Sequence, residues 1–493
     1  MTVGGGRAAI DSARRWLDAN GEIGPQLSDR IWELAEPGLC EEESAALLCD
    51  ALEAGGADVQ RGAAGMPTAF VGRFGSGTPT VALMAEYDAT PGESQRPVPQ
   101  RSPVHPLAAG FTDLHNGIGA ASVAAALATA TAMREHDLPG SLVIFGTPAE
   151  KLCLGKPFFA RDGYFDDLDA VVAWHPRQYS TVEWDTGPGC YQAEVHEFFG
   201  TSSYAASPWT GVSALDALTL MNVIVQFQRE HIPPWHRTSI NELVSQGGQH
   251  PTSLPNFAQA WYVHRSNGLA GITLASQLLE RAGTAAASAL GARHESRVVA
   301  ATRPWLPNHT MARAAYHGLE LAGPPRVPAE MIPFAQSILR EVGREQLDQP
   351  FDTELTPPEA GKSAEFHGGA DDVTEFCWHA PTARIYVAYG ISMAGGRLPN
   401  WAAGAFARTP AAHATVRTAS HAVAYTALDV LTDAALREEA AVELARRLED
   451  VGGVEPLIPP GVEPPIGLDE APPYVRDHRL AARESDAYSG VSE

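Results

Sequence analysis

The stretch from Leu142 to Lys151, LVIFGTPAEK, decides the expected fold because an apolar run leads directly into an acid and a base. A short run of branched and aromatic apolar residues is typical of a buried strand. In parallel sheets, ligands bind just beyond the carboxyl ends of the strands. Glu150 beside Lys151 at such an end therefore indicates a site for acid–base chemistry.

Two other apolar runs end in the same way. Val81–Ala85 is followed by Glu86 and Asp88, and Ala170–Trp174 is followed by His175. The carboxyl ends of parallel strands meet at one edge of a sheet, so we expect these side chains to lie beside the acid and base of the first run. Carboxylates and an imidazole gathered in this way suggest a metal hydrolase with an altered set of ligands.

Helical and strand patterns alternate along most of the chain, which predicts an α/β fold with a mainly parallel sheet flanked by helices. Near residue 190 the pattern changes to alternating strands and two amphipathic helices, which indicates a smaller α+β insertion. The predicted parts are the first half of the main domain at 1–190, the insertion at 191–307, the second half at 308–452 and a Pro-rich tail at 453–493.

Composition excludes several classes of partner. The formal net charge is −24, from 59 acidic and 35 basic residues, which disfavours nucleic acid and anionic membranes. The five cysteines are scattered without a C-x-x-C pair, and no run approaches membrane-spanning length. We therefore expect a cytoplasmic protein that acts on a small molecule.

Several motifs together resemble one family. The matching stretches are Gly65–Phe70, Ala85–Ala89, Gly146–Glu150, Ala173–Pro176 and Gly211–Ala217. On these stretches, within a region from Ile31 to Leu431, the chain resembles the metallopeptidase family M20, and within it the branch of the aminobenzoyl-glutamate hydrolases, in particular their B-type subunit. The resemblance implies a zinc-exopeptidase-like catalytic domain and an inserted lid or dimerisation domain, hence a homo-oligomer.

The family binds two metal ions, and the resemblance implies where their ligands stand here. Glu86 and His175 match ligand positions, with Asp88 as a supporting residue behind them. Asp113 falls on the bridging position and His115 on the ligand position that follows. Asp113 has an alternative interpretation as a helix N-cap, and ligation by His115 stays open because the metal it would serve is the one expected to be absent.

Two departures from the family pattern concern that absent metal. Glu150 matches the general base, but Lys151 replaces the neighbouring carboxylate ligand, and Pro399 replaces a late histidine ligand. A lysine ammonium supplies part of the missing positive charge. We therefore predict one divalent transition metal ion, with manganese favoured and zinc or cobalt as alternatives.

Two further residues are candidates for contact with the substrate. Tyr204 stands where the family has a substrate-polarising histidine, and Arg265 is placed to hold a substrate carboxylate. A packed aromatic and a solvated edge charge are the alternative interpretations. Glu150 has its own alternative, a surface ion pair with Lys151.

Three functions fit the altered ligand set. The first is hydrolytic deamination of an aromatic amino acid, such as conversion of 5-nitroanthranilate to 5-nitrosalicylate and ammonia; the family includes a 5-nitroanthranilic acid aminohydrolase, and the chain resembles a candidate for it. The second is amide hydrolysis of an N-acyl or p-aminobenzoyl amino acid. The third is a non-catalytic relative that only binds a ligand. The first two are C–N hydrolysis by metal-activated water, with Glu150, Lys151 and Tyr204 as catalytic residues.

Overall fold

The structure, a computed structural model, describes residues 3–358, 369–392, 398–467, 471–475 and 478. The helices are α1 Val3–Ala19, α2 Ile23–Leu34, α3 Glu42–Ala54, α4 His115–Glu135, α5 Gly155–Arg161, α6 Ala214–Gln228, α7 Leu269–Leu290, α8 His309–Ala322, α9 Met331–Glu341, α10 Asn400–Gly404, α11 Pro410–Thr432 and α12 Ala434–Val451. The strands are β1 Asp58–Arg61, β2 Phe70–Ser76, β3 Thr80–Ala85, β4 Gly140–Gly146, β5 Ala170–Arg177, β6 Thr181–Val182, β7 Cys190–Phe199, β8 Ser239–Gln246, β9 Phe257–Ser266, β10 Arg293–Thr302 and β11 Thr382–Ala388.

The larger sheet has the strand order β1-β2-β4-β3-β5-β11-β6. Its four central strands, β4, β3, β5 and β11, are parallel, whereas the pairings of β2 with β4, of β1 with β2 and of β6 with β11 are antiparallel. Strands β3 and β4 are buried along their whole lengths, as expected for a sheet covered on both faces. The predicted α/β fold with a mainly parallel sheet is confirmed.

Helix α4 holds the site against the sheet. It is rich in alanine and almost completely buried, and it packs against α1, α2 and α11. At Gly119 a side chain would collide with the carbonyl oxygen of Glu86, and the Gly119 amide donates a hydrogen bond of 2.8 Å to that oxygen. The glycine therefore lets the first turns of α4 lie directly on the end of β3. Helix α4 is long and apolar enough to cross a membrane, but 94% of its most apolar 18-residue segment is buried inside this fold.

The second sheet has four antiparallel strands in the order β10-β7-β9-β8 and is formed between Cys190 and Thr302. Helices α6 and α7 pack together and against this sheet. Phe198, Leu218 and Leu279 contribute to the apolar layer between the helices and the sheet. This unit occupies the place in the chain where the sequence predicted an α+β insertion, and its assignment as a separate domain stays a prediction.

The described part of the C-terminal segment lies on the main body. The Val454 carbonyl accepts a hydrogen bond of 2.9 Å from Arg303, and Ile458 is buried in the main core. Farther along, the Tyr474 hydroxyl lies against Gly38, which also touches the loop that carries Glu150. Residues 468–470, 476–477 and 479–493 of the predicted tail fall outside the described residues.

Candidate active site

Three strand ends and one helix start deliver the side chains of the site. Glu86 follows β3, Glu150 follows β4, His175 lies near the end of β5, and His115 is the first residue of α4. The residues before His115 and Glu150 have left-handed backbones, with φ of 62° at Leu114 and 57° at Ala149. Such conformations are costly for residues other than glycine and concentrate at functional sites, where surrounding contacts hold them.

His115 is held in one tautomer by two neighbours. Its Nδ1 lies 2.7 Å from an oxygen of Asp88, and its Nε2 lies 2.9 Å from the Lys151 ammonium. An ammonium only donates hydrogen bonds, so Nε2 accepts and the ring proton is on Nδ1, which donates to Asp88. Asp88 also accepts a 2.8 Å hydrogen bond from the Lys151 backbone amide. The carboxylate therefore fixes both the imidazole and the loop that follows β4.

The Lys151 ammonium lies at the centre of an anionic group. It donates to both carboxylate oxygens of Asp113, at 2.6 and 2.8 Å, and lies 3.5 Å from Glu150. Burial alone would raise the pKa of Asp113, but the Lys151 ammonium holds it well below its ordinary range. Burial would likewise lower the pKa of Lys151, and Asp113 instead raises it above its ordinary value. This pair is therefore ionic. The Lys151 ammonium neutralises the Asp113 carboxylate, which stands at the position that resembles the family's bridging ligand.

Glu150 is a buried carboxylate with little hydrogen bonding of its own. Its side chain is 9% exposed, and one oxygen lies 3.4 Å from Nε2 of His115. Burial raises the pKa of Glu150 to about 7, against the opposing effect of Lys151. A general base works best when its pKa lies near the working pH, so the surroundings of Glu150 suit proton transfer.

Lys156 is a second buried cation, and the sequence had not pointed to it. Its ammonium lies 2.7 Å from an oxygen of Glu86 and 2.5 Å from an oxygen of Asp372, and all three side chains are fully buried. The Lys156 backbone amide also donates to Asp372, at 3.1 Å. Asp371 next to it pairs with Arg384. The only local signal is a lysine in the otherwise apolar start of α5; its partner lies 216 residues away.

Glu41 is another residue that sequence reasoning missed. It is fully buried and accepts hydrogen bonds from the Ala149 amide, at 2.8 Å, and from Thr68, at 3.1 Å. Burial, followed by the charge of Asp88, raises the pKa of Glu41 to about 8. Glu41 thus supports the backbone immediately before Glu150.

The site fits a divalent transition metal ion. One ligand atom each of Glu86, His115 and His175 lies within 4.8 Å of the others. Oxygen Oε2 of Glu86 is buried and has no hydrogen-bond partner among the described residues. His175 Nδ1 lies 2.8 Å from the Pro176 carbonyl, to which it donates, and burial keeps the pKa of His175 well below its ordinary value, so its Nε2 presents a lone pair. Against the effect of burial, Asp113 and Asp88 raise the pKa of His115 to about 9, so an ion would compete at Nε2 with a proton and with the Lys151 ammonium. Two imidazoles and a carboxylate are ligands that such ions prefer.

The charge balance of the site supports the same conclusion. Six carboxylates surround three permanent cations within this network. The carboxylates are Glu86, Asp88, Asp113, Glu150, Asp371 and Asp372, and the cations are Lys151, Lys156 and Arg384. Buried carboxylates in such excess are stabilised by a further positive charge.

The other predicted site residues, Asp113, Tyr204 and Arg265, lie outside the group formed by Glu86, His115 and His175. Asp113 contacts Lys151 and is outside the group of three possible ligands. Tyr204 lies in the 190–302 unit, is 67% exposed and pairs through its backbone with Ser253. The Arg265 guanidinium stacks over the ring of Tyr191, 5.7 Å from the centre of that ring. Burial raises the pKa of Cys153, beside the loop that carries Glu150, and the positive charge of Arg265 opposes this rise. The roles of these residues stay predictions.

Comparison with known proteins places this geometry in context. The sequence is 29% identical to the B-type subunit of p-aminobenzoyl-glutamate hydrolase from Escherichia coli K12 over 453 residues, which cover 87% of this chain and 93% of that protein. The Xaa-Arg dipeptidase of Mus musculus is 29% identical over 243 residues, or 46% of this chain and 50% of that protein. The crystal structure of an aminobenzoyl-glutamate utilization protein from Klebsiella pneumoniae covers 85% of this chain and 98% of its own, with a TM-score of 0.57 and 16% identity. No family model matches the chain.

The chain is therefore homologous to the hydrolase subunit along most of both sequences, and it shares the fold of the Klebsiella protein. The expected resemblance to the aminobenzoyl-glutamate hydrolase branch is confirmed. The prediction of an enzyme, a metal-dependent hydrolase of C–N bonds, is confirmed at that level of description. None of these relatives supports the narrower expectation of nitroanthranilate deamination.

Proposed function

We propose that the chain hydrolyses the C–N bond of an N-acyl or aminobenzoyl amino acid, using Glu150 as general base beside one divalent metal ion. The observation that carries the proposal is the buried Glu150 carboxylate, with a pKa near 7, next to the group formed by Glu86, His115 and His175. Homology to a hydrolase of p-aminobenzoyl-glutamate supports this substrate class.

The proposed metal ligands, Glu150 and Lys151 have separate roles in the reaction. A divalent ion held by Glu86, His115 and His175 would supply Lewis acidity, which lowers the pKa of a water molecule. Glu150 takes a proton from the attacking water and passes it to the leaving nitrogen, so the C–N bond breaks as the amine becomes neutral. The Lys151 ammonium, 3.5 Å from Glu150, stabilises negative charge that develops on the substrate oxygen.

A single metal ion follows from the position of Lys151. Its ammonium already pairs with both oxygens of Asp113, so the charge that a second ion would bring is supplied by the chain. The two imidazoles of the group suit zinc and cobalt, but we favour manganese because Glu86 also shares ligand distances with the carboxylates of Asp371 and Asp372.

Arg265 is our candidate for binding the substrate carboxylate. It is half-buried at the junction of the two sheets, stacked on Tyr191 and near the Glu150 loop. A guanidinium pairs with a carboxylate through two parallel hydrogen bonds, which orients an amino acid as well as holding it.

Deamination of an aromatic amine, with 5-nitroanthranilate as the test substrate, is the second candidate. The observation that favours it is again Lys151, which takes the place of the cation that would polarise an amide carbonyl in a two-metal site. In this reaction hydroxide adds to the ring carbon, ammonia leaves, and Glu150 supplies the proton that ammonia needs.

Glu150→Gln tests the proposed base. We expect turnover of p-aminobenzoyl-glutamate to fall by at least about a hundredfold, because the amide keeps the shape and loses the basic oxygen. The exposed Glu449→Gln on α12 is the matched control and should keep full activity. Release of p-aminobenzoate is measured in protein reloaded with Mn²⁺, Zn²⁺ or Co²⁺, beside ammonia release from 5-nitroanthranilate.

Each result decides between the candidates. Metal-dependent release of p-aminobenzoate alone supports amide hydrolysis, and release of ammonia alone supports deamination. Equal activity in Glu150→Gln and the control would refute Glu150 as the base. A chain that turns over neither these substrates nor a panel of N-acyl amino acids would instead be the non-catalytic binding relative.

We also propose a homo-oligomer formed through the 190–302 unit. Large apolar side chains are exposed on this unit, namely Tyr204, Trp209, Phe227, Trp235 and Leu243. Exposed apolar groups gathered on one part of a protein are typical of subunit contacts. All five cysteines are free, in keeping with our assignment of the protein to the reducing cytoplasm.

A further inference from the structure

A second group of imidazoles and carboxylates lies in the 190–302 unit, apart from the candidate active site. His196 on β7 and His294 on β10 lie on the face of the sheet that α7 covers, and Glu280 on α7 reaches the same place. The side chain of His196 is fully buried and that of His294 is 4% exposed, whereas Glu280 is 55% exposed. We refer to these three residues as the histidine cluster.

The imidazoles of His196 and His294 face each other, and Glu280 lies nearest the other ring nitrogen of His294. Nδ1 of His196 lies 2.9 Å from Nε2 of His294, and the two rings are nearly parallel. One ligand atom from each member of the cluster lies within 4.8 Å of the others. Helix α7 makes room for this arrangement at Gly283, where a side chain would lie 2.4 Å from the His294 ring.

Side chains behind the histidine cluster hold His196 in position through hydrogen bonds, as such side chains do around metal-bound histidines. Nε2 of His196 lies 3.1 Å from Glu194, and Ser276 and Gln192 donate to the same carboxylate. A proton on Nε2, donated to Glu194, leaves the Nδ1 lone pair directed toward His294. A carboxylate behind a ligating imidazole is the usual second partner of a metal-bound histidine.

The remaining polar groups indicate a missing positive charge. Glu280 accepts a hydrogen bond of 2.7 Å from Ser296 and keeps its other oxygen 4.0 Å from His294. The fully buried His264 lies 3.8 Å from Glu194, and neither of its ring nitrogens has a hydrogen-bond partner among the described residues. Imidazoles and carboxylates are costly to bury in an apolar layer, and a bound cation offsets that cost.

We propose that His196, His294 and Glu280 bind a divalent transition ion of the zinc or nickel type. Imidazole nitrogen suits these ions, and the exposed Glu280 gives the ion a path from solvent. Two imidazoles and one carboxylate leave a coordination position for water. The ion would join α7 to β7 and β10, and its role would be to brace this layer independently of the C–N hydrolase chemistry.

The test compares metal binding in four full-length proteins. These are the wild type, the double variant His196→Gln/His294→Gln, Glu280→Gln, and His231→Gln, which alters an exposed histidine of the same unit as a control. Each protein is stripped with a chelator, dialysed against Zn²⁺ and analysed for bound metal by mass spectrometry. We expect the double variant to bind one ion fewer than the wild type and the control.

Glu280→Gln keeps the test decisive if the double variant fails to fold, because its side chain is half exposed. It should weaken Zn²⁺ binding at the cluster by about tenfold or more in a competition titration, and reduce the rise in melting temperature that Zn²⁺ produces. Equal zinc content and equal thermal shifts in all four proteins would overturn the proposal and leave the cluster a hydrogen-bonded polar layer. Neither measurement depends on enzymatic activity.

Discussion

Lys156 is the residue of the site whose replacement we expect to lower the stability of the folded protein most. Its ammonium pairs with Glu86 and Asp372 where none of the three side chains is exposed. Removing one partner of a buried ion pair leaves an uncompensated charge, whereas a change at the surface does not. Lys156 therefore supports the fold and also orients the carboxylate that the proposed metal ion requires.

We expect Lys156→Met to lower the free energy of unfolding by about 3–5 kcal/mol in metal-free protein, measured by urea denaturation. Mn²⁺ should restore part of this loss, because Glu86, Asp371 and Asp372 then offer ligand atoms within 4.8 Å of one another. Lys156→Met combined with Asp372→Asn is the control, since it removes a charge of each sign and should lose less. An unchanged free energy in the single variant would contradict this account of Lys156.

The sequence predicted the residues that stand at strand ends and missed those that support them. Glu86, Glu150 and His175 follow apolar runs, and parallel topology brings such ends together. Glu41 immediately precedes α3 and Lys156 lies in α5, and their partners are far away in the chain, so no local pattern marks them. Pairing across such distances becomes visible only when the fold is known.

At the scale of elements, the Glu443 carboxylate joins α12 to the start of α8. Glu443 accepts hydrogen bonds from the backbone amides of His309, at 2.9 Å, and Thr310, at 3.0 Å. It also pairs with Arg447 one turn along α12. Burial opposes ionisation, but these partners together lower the pKa of Glu443 from its ordinary 4.5 to about 2.

Because the pKa of Glu443 is lowered in the folded protein, the free energy of unfolding should fall as the pH falls. Because the folded protein holds Glu443 ionised more strongly, its contribution is present above pH 4.5 and is lost as the pH falls toward 2. We expect Glu443→Gln to cost on the order of 1 kcal/mol at pH 7 and progressively less in acid. Thermal unfolding across that range, beside Glu449→Gln, measures the difference; a penalty that stays constant with pH would contradict it.

Elements with regular apolar patterns were predictable, and polar ones were not. Helices α6 and α7 lie in the insertion, where two amphipathic helices were predicted, and the strands β3, β4 and β5 contain the three predicted apolar runs. The edge strand β8 is mostly exposed and β10 begins with charged residues, so neither shows the alternation that reveals a half-buried strand. Their place in the sheet depends on pairing with β9 and β7.

At the scale of the whole molecule, Tyr204 is 67% exposed on the 190–302 unit and is therefore available to a second subunit. The proposed oligomer would bring Tyr204 of one subunit to Glu150 of another. Because each such site then combines residues from two chains, two inactive variants should restore each other's activity when they are mixed.

We expect Glu150→Gln and Tyr204→Phe to be impaired separately and to recover about a quarter of wild-type activity after unfolding and refolding together as a dimer. Half of the dimers are then mixed, and each mixed dimer has one intact site. Sedimentation of the products gives the subunit number. If the mixture shows only the average of the two separate variants, Tyr204 does not act across subunits.

The two lysines of the site, the fully buried Lys156 and the partly buried Lys151, also affect how the protein responds to changes in metal supply. An ion held by side chains leaves and returns with its concentration in the cell, but an ammonium attached to the backbone does not dissociate. Lys151 and Lys156 thus keep part of the site's positive charge constant during metal starvation. An empty site of this kind remains assembled, so activity should return as fast as the ion binds, without a step of refolding.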